Sequence, residues 1–336
     1  MPKISIIIPA YNCQSYIKQC INSVLSQDFE DFEILVCDDS STDNTYSQLL
    51  EISDSRIKLY KNTTNQGKIK TVGYLLNLAS GEYCTILDSD DYISNDKLRI
   101  QSNFLDENKD YSFIASSFYR VSEFGIVSSE EVIDSDFTNI KNSFIEADPM
   151  AVCCGTVMFR TKYAQEIGGY SQYFSDCNGE DLDFVARLLS FGLGCSSSDK
   201  LYYYRYRPNS LTRRVFDTPR QRHSHEIIAF LYAQRLSNNG KDSLNSELDG
   251  LEEFIDSLSK RYIEDTGLMK RKCSIDFALN NNYACAIKNS LLGFRILHPI
   301  SSLKTVIFVL SIMLVPKFLL LYLKGLFNYQ NISKRL

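Results

Sequence analysis

Tryptophan is absent from this 336-residue chain, histidine occurs three times and proline seven times. With only His223, His225 and His298, and no H-E-x-x-H spacing among them, a histidine-built zinc centre is excluded. His223 and His225 stand two apart in a basic, helical stretch, so they do not share a face and are expected to be solvated. Ten cysteines are present but no C-x-x-C pair, which excludes the usual zinc and redox patterns. Cys13, Cys20, Cys37 and Cys84 fall among apolar neighbours, as small buried hydrophobes do. The opening MPKISIIIPAYN lacks a signal-peptide layout, so a reducing, cytoplasmic compartment is expected. No G-x-G-x-x-G follows the first apolar run, and Gly67-Lys68 precedes Ile69 rather than Ser or Thr. Neither a dinucleotide fingerprint nor a P-loop is therefore present.

What is present describes a folded chain, with 44% hydrophobic and 23% charged residues. Its net charge of −5 is unevenly spread. From Leu268 to Leu336 there are ten basic residues and one acidic residue, Asp276, on an otherwise acidic body. That body disfavours nucleic acid as a partner. Within the tail, Thr305 to Leu323 (TVIFVLSIMLVPKFLLLYL) is apolar apart from Lys317 and is interrupted by Pro316. It sits at the lower limit for a spanning helix. The basic flanks point instead to a segment at about 303–327 lying on the inner face of the cytoplasmic membrane, held by apolar burial and anionic lipid. A helix packed on the body, or a true span, are the alternatives.

The first half alternates strand and helix patterns. Ile4–Ile8, Phe32–Cys37, Ile57–Tyr60 and Tyr83–Leu87 read as strands, the first stopped by Pro9. Helical spacing marks residues 16–25, a helix opened by Asp43, and residues 69–79. This alternation predicts an α/β fold with a mainly parallel sheet covered on both faces. Further on, Phe113–Phe118, Cys153–Phe159 and Leu201–Tyr206 read as strands, Val121–Ile140 as loop and Glu180–Phe191 as a helix. Past Thr212 the pattern is helical. The expected division is a catalytic body at 1–214, in halves of about 1–115 and 116–214, and a helical extension at 215–336.

In open parallel sheets, ligands gather at the carboxyl ends of the strands. Here those ends carry Pro9-Ala10-Tyr11-Asn12, Asp38-Asp39-Ser40-Ser41-Thr42-Asp43 and Asp88-Ser89-Asp90-Asp91. Clustered carboxylates raise one another's pKa unless a positive charge is near. A divalent cation neutralises them, and oxygen-only ligands favour Mg²⁺ or Mn²⁺ over zinc. Two aspartates suffice if a diphosphate brings further ligands. Asp38 and Asp43 equally suit turn and N-cap roles.

IIIPAYN (6–12), DDSSTDNT (38–45), NQGK (65–68), ASGEY (79–83) and LDSDD (87–91) together resemble the family 2 glycosyltransferases. GGY (168–170), GED (179–181) and YRYRPNSLT (204–212) extend the resemblance over roughly residues 3–213. It implies the A-type glycosyltransferase fold, Rossmann-like with a nucleotide-binding half and an acceptor half. It also implies inverting, metal-dependent transfer of a hexosyl group from a nucleotide diphosphate, in most cases UDP. The acceptor would be a saccharide or lipid-linked oligosaccharide in capsule, O-antigen or exopolysaccharide synthesis. By the same resemblance, Pro9, Tyr11 and Asp39 hold the nucleoside, Lys68 lies near base or phosphate, and Asp88 and Ser89 touch the ribose and metal region. Asp90, with Asp88, is the metal ligand, Asp181 the general base, and Glu180 its support in the acceptor pocket. Three positions depart from the pattern. Arg207 stands where a histidine is common and becomes a phosphate clamp, because a guanidinium pairs bidentately with phosphate but does not ligate a metal. Thr71-Val72-Gly73 replaces A-R-N, and Ser40 replaces a glycine.

The chemistry of the residues agrees with that reading. Direct displacement by an acceptor hydroxyl needs one positioned carboxylate base, and charge on the departing diphosphate is met by a cation. A nucleotidyltransferase would need a Gly-rich basic loop after the first strand, where Tyr11-Asn12-Cys13 stands. A non-catalytic membrane-surface protein would bind no nucleotide.

Overall fold

A computed structural model describes residues 1–147, 151–207, 215–280, 282–294 and 299–314. Its first half alternates β1 (Ile4–Ala10), α1 (Ile17–Leu25), β2 (Phe32–Asp38), α2 (Thr45–Leu50), β3 (Ile57–Lys61), α3 (Lys68–Leu78) and β4 (Tyr83–Ile86). Then come β5 (Tyr92–Ile93), α4 (Lys97–Glu107), β6 (Tyr111–Val121), β7 (Val127–Glu131), α5 (Phe137–Ile145), β8 (Met158–Arg160), α6 (Thr161–Glu166), α7 (Glu180–Leu188) and β9 (Leu193–Arg205). Helices make up the remaining described elements: α8 (Pro219–Arg222), α9 (Ser224–Ser237), α10 (Leu251–Glu264), α11 (Leu268–Leu279), α12 (Tyr283–Leu292) and α13 (Pro299–Leu314).

One sheet runs β3-β2-β1-β4-β8-β6-β9-β5, with β7 paired to β6. Strands β1 to β4 are mutually parallel, and β1 lies between β2 and β4. Ile4, Ile6, Ile7 and Ile8 are all fully buried, which is why β1 is a continuous apolar run rather than an alternating one. Pro9 does not end the strand. Pairing continues to Ala10↔Asp38, and the Ala10 carbonyl accepts from Asp39 N at 2.8 Å. The glycine of ASGEY is set by close approach: a Cβ at Gly81 would stand 2.6 Å from Ser5 N and 2.7 Å from Ile4 C.

Beyond β4 the sheet is mixed. β8 is antiparallel to β4 and β6, β9 is parallel to β6, and β5 is antiparallel to β9. Three expectations change here. The stretch 121–140 contains β7 and the start of α5 rather than loop alone. β7 (VSSEE) shows no apolar alternation because it is an exposed margin, held by its ladder to β6 and by Arg120–Glu131 (2.7 Å) and Lys200–Glu130 (2.6 Å) pairs. β9 begins at Leu193, well before Leu201, its polar residues carried by pairing with β6. The strand expected over 153–159 shortens to Met158–Arg160, after a 3₁₀ turn at Cys154–Thr156. A fourth correction concerns His223, which is buried rather than solvated, its ring nitrogens 2.9 Å from Glu226 Oε1 and 3.0 Å from Tyr262 Oη. All ten cysteines are free thiols, and Cys13, Cys20, Cys37 and Cys84 are buried.

Among the described residues the chain forms two compact units. The first holds 1–175, 179–207 and 228–248, and the second holds 176–178, 215–227 and 249–314. The boundary expected near 214 falls in undescribed residues. Residues 228–248, on its far side, belong to the first unit, where Tyr232 packs on Phe144 at 5.5 Å and Arg235 enters an ion cluster with Asp183 and Asp242. The second unit centres on α11, α12 and α13, with Ile275, Leu279, Val309 and Ile312 in its core. The opposite side of α13 is also apolar, yet Ile300, Leu303, Ile307 and Leu310 are exposed. No described helix is long and apolar enough to cross a membrane. Beyond Leu314, the segment expected at 303–327 lies outside the described residues.

Candidate active site

The site assembles where β1, β2 and β4 end. At the end of β1, Pro9 is half-buried and Tyr11 exposed. Asn12 takes a left-handed φ of 47° and joins the next loop, its N donating to Ser41 Oγ (3.0 Å) and its Oδ1 accepting from Thr42 N (2.8 Å). Ser40 also sits at a positive φ, 61°, which explains why a glycine suits that position. Asp43 receives Thr45 N and Gln14 N at 2.9 and 3.2 Å, so it serves the start of α2.

Asp39 is buried, and its carboxylate gathers a loop. Oδ1 accepts from Asn62 Nδ2 (2.7 Å) and Gln66 N (2.8 Å), and Oδ2 accepts from Gly67 N (2.8 Å). Gly67, at φ 82°, then turns the chain into α3, whose first residue is Lys68. Asp39 thereby fixes the point from which Lys68 reaches into the site. The sequence signal was there in the NQGK turn, but the pairing spans 27 residues and is not visible as a spacing.

At the end of β4 the four polar residues diverge in role. Asp88 Oδ1 lies 2.7 Å from Lys68 Nζ. Ser89 is buried against the Cys13 thiol. Asp90 Oδ2 lies 2.5 Å from Arg207 Nε. Asp91 is buried and structural: Oδ2 accepts from Tyr202 Oη and Oδ1 from Arg205 N, both at 2.7 Å. Arg205 Nε in turn donates to the Asp90 carbonyl at 2.7 Å, so β9 holds the acidic loop from beneath. The sequence groups Asp91 with the carboxylates a cation would neutralise; its structural link to Arg205 joins positions 114 apart and is not visible as a spacing.

Burial first, then Asp88, raises the Asp90 carboxyl above its ordinary range, and Arg207 pulls it back. Burial works against charge on Lys68, but Asp88, Tyr170, Glu180 and Asp181 outweigh it and hold the ammonium firmly protonated. Glu180 and Asp181 thus lie within the electrostatic reach of Lys68, and Glu180 within that of Asp88. Both acids sit at the start of α7, after Gly179 at φ 119°. Asp181 Oδ1 accepts from Leu182 N at 2.8 Å. Burial and the Asp181 carboxylate push Glu180 from 4.5 up to about 7, with Lys68 opposing. Tyr170, of the GGY turn, is a wall of this site that sequence reasoning left without a role.

That Glu180 shift has a measurable consequence. An unfolded chain ionises Glu180 near 4.5, so the folded protein holds an extra proton between that pH and about 7. Stability is therefore lost as pH rises through this window. Glu180→Gln is expected to be more stable than the wild type at pH 8 by about 1–2 kcal/mol, after allowance for partial exposure, and equal to it at pH 4. Thermal denaturation across pH checks this, and parallel curves for the two proteins would contradict it.

The fit of a divalent cation is decided by the acids. The second oxygen of Asp88 and of Asp90 has no side-chain partner among the described residues, and no described cluster of three or more His, Cys, Asp or Glu could enclose an ion. The donor set is oxygen-only and incomplete. It suits a Mg²⁺- or Mn²⁺-like ion that shares its shell with a diphosphate.

Known proteins bear on this arrangement. The family model described as Glycosyl transferase family 2 matches residues 5–168. The chain is 32% identical over 220 residues to UDP-Glc:alpha-D-GlcNAc-diphosphoundecaprenol beta-1,3-glucosyltransferase WfaP of Escherichia coli, covering 64% of this chain and 82% of that one. It is 25% identical over 273 residues to the chondroitin synthase of Pasteurella multocida, covering 80% of this chain and 27% of that one. The crystal structure of S. aureus TarS 1–349 in complex with UDP-GlcNAc superposes with a TM-score of 0.58 at 19% identity, covering 92% and 90% of the two chains. That likeness shows the fold, and with it the A-type α/β architecture expected from the sequence motifs.

Proposed function

We propose, on the premise that this chain belongs to glycosyl transferase family 2 and is a glycosyltransferase, that it moves a sugar from a UDP donor to a hydroxyl of a lipid-linked saccharide, with inversion, in the synthesis of a bacterial polysaccharide. The observation that carries this reading is that two acids at the start of α7 lie within the electrostatic reach of Lys68, which is itself ion-paired to Asp88 at the end of β4, where Asp90 pairs with Arg207. The α7 acids suit an acceptor hydroxyl, and the cations paired with the β4 acids, Lys68 and Arg207, suit a diphosphate. The WfaP name, with its UDP-glucose donor and diphosphoundecaprenol acceptor, supports both substrate classes.

Each residue then has a task. Pro9, Tyr11 and the loop around Asp39 receive the nucleoside. Lys68 and Arg207, now paired with Asp88 and Asp90, turn to the diphosphate when it arrives, because phosphate is the more highly charged partner. Asp90 and Asp88 would hold a Mg²⁺ or Mn²⁺ together with the diphosphate, and that ion would supply positive charge for the leaving group. Asp181 takes the proton of the attacking hydroxyl, which enters from the face opposite the leaving group. Glu180, poised near neutrality, orients that hydroxyl.

The acceptor's lipid anchor gives the second unit a purpose. The exposed apolar side of α13 and the basic surplus beyond residue 268 suit an anionic membrane surface on the cytoplasmic side. A single assay tests the whole reading: the full chain is given a panel of UDP-sugars and a diphospholipid-linked saccharide in anionic vesicles. Transfer from at least one donor is expected. Ile307→Glu is expected to lower transfer about tenfold and leave slow hydrolysis of the free donor unchanged. No nucleotide release from any sugar nucleotide would remove the reading, and equal transfer by Ile307→Glu would remove the membrane part.

A further inference from the structure

α7 carries a third acid, and it faces away from the acceptor. Asp183 is fully buried, two residues beyond Asp181. Its Oδ2 accepts from Arg187 Nε and its Oδ1 from Arg235 Nη2, both at 2.8 Å. Arg187 extends the link to the GGY turn, with Nη1 donating to the Ile167 carbonyl (2.9 Å) and Nη2 to that of Gly169 (2.7 Å). Gly168 and Gly169 both hold φ near 72°, and their N–H groups donate to the Gln165 and Ala164 carbonyls at the end of α6, so Arg187 adds to a helix-end turn. Arg235 is 3% exposed, and its Nε donates to Asp242 Oδ2 at 2.5 Å. Asp242 itself is anchored by the backbone of the turn that follows α9, through Leu244 N and Asn245 N on Oδ1. Nη1 of Arg235 is buried with no partner among the described residues, so two carboxylates alone set the guanidinium in place.

We propose that Arg235 is a positioning residue of the acceptor base: the Asp242–Arg235–Asp183–Arg187 chain locks α7 and the GGY turn as one body, so that Asp181, Glu180 and Tyr170 keep their places around the acceptor hydroxyl. Two observations converge on it. The balance of charge is complete, with two guanidinium groups against two carboxylates, three of the four members buried, and such chains hold geometry because each member is costly to leave unpaired. The chain also joins the two segments that form the acceptor wall, α7 and residues 167–170, to the segment 228–248 that groups with the first unit. None of its members faces the donor phosphates, so its influence falls on the acceptor step. The inference rests on the assignment of Asp181 as base.

The test uses the full-length chain with three variants and Asp181→Asn alongside. Arg235→Met leaves Asp242 buried and unpaired, so it is expected to be less stable as well as less active. In Arg235→Met/Asp242→Asn that stray charge is gone, and the melting temperature is expected to recover. Transfer by this double variant is nonetheless expected to stay about 100-fold down in kcat, the scale of a small misplacement of reacting groups, with UDP affinity within about twofold of the wild type. Arg235→Lys keeps the charge but loses the fork, and is expected to fall between the two. If the double variant recovers kcat along with stability, or loses UDP binding in step with kcat, Arg235 is a structural residue and the inference is overturned. If Asp181→Asn retains transfer, the base assignment fails on its own, whatever the Arg235 variants do.

Discussion

Asp181→Asn is expected to lower sugar transfer about 1,000-fold, the middle of the range for loss of a general base. The substitution keeps the shape of the side chain and an oxygen for the Leu182 N–H, which Asp181 now binds at 2.8 Å, so the first turn of α7 stays in place. What it removes is the capacity to take a proton. Donor affinity is expected to hold or to rise slightly, because a negative charge facing Lys68, beside the diphosphate position, disappears. Single-turnover transfer and UDP calorimetry separate the two effects. Transfer within about tenfold of the wild type would move the base role to another group, with Glu180 first in line.

The second large effect is expected at Asp90, and its sign depends on the metal. In Asp90→Ala the proposed cation would lose its main protein ligand, so Mn²⁺-supported transfer is expected to fall about 100-fold or more, as when a charge-stabilising group is removed. Arg207 at the same time loses the carboxylate it now pairs with at 2.5 Å. A freed guanidinium seeks phosphate. Without metal, the variant is therefore expected to bind UDP more tightly than the wild type, by about tenfold, or one charge-assisted hydrogen bond. A substitution that lowers transfer with metal and tightens UDP binding without it is hard to obtain from misfolding, which lowers both.

The parts of the protein that sequence reading reached share a physical feature: they are set by local pattern. β1 is visible because four buried isoleucines leave no alternative to a strand covered on both faces. The acids after β4 are visible because a buried strand ends abruptly in four polar residues. The parts that stayed hidden are set by partners far away in the chain. β7 and the first half of β9 have polar sequences and exist through pairing with β6. Acids in the same motif part ways for the same reason: Asp90 meets Arg207 while Asp91 is consumed by Tyr202 and Arg205, and nothing in LDSDD distinguishes them. Arg235 was legible only as one more charge on a helix, and its burial between Asp183 and Asp242 depends on a turn after α9 that no periodicity reveals.

The motifs also led to the idea that something positive must neutralise the strand-end carboxylates. In the fold, Lys68 and Arg207 do so directly. In the proposed reaction a metal-bound diphosphate would enter a site whose acids are already paired, and would have to exchange partners with both cations. The account expects the nucleotide and the ion to favour each other's binding, since each releases a group that the other uses.

Titration of the full-length protein with UDP by calorimetry, once in Mn²⁺ and once in EDTA, tests this most directly. The account predicts UDP binding at least tenfold tighter with Mn²⁺ in the wild type, and a loss of that difference in Asp90→Ala. Equal affinity in both conditions for the wild type, with sugar transfer continuing in the chelator, would contradict it.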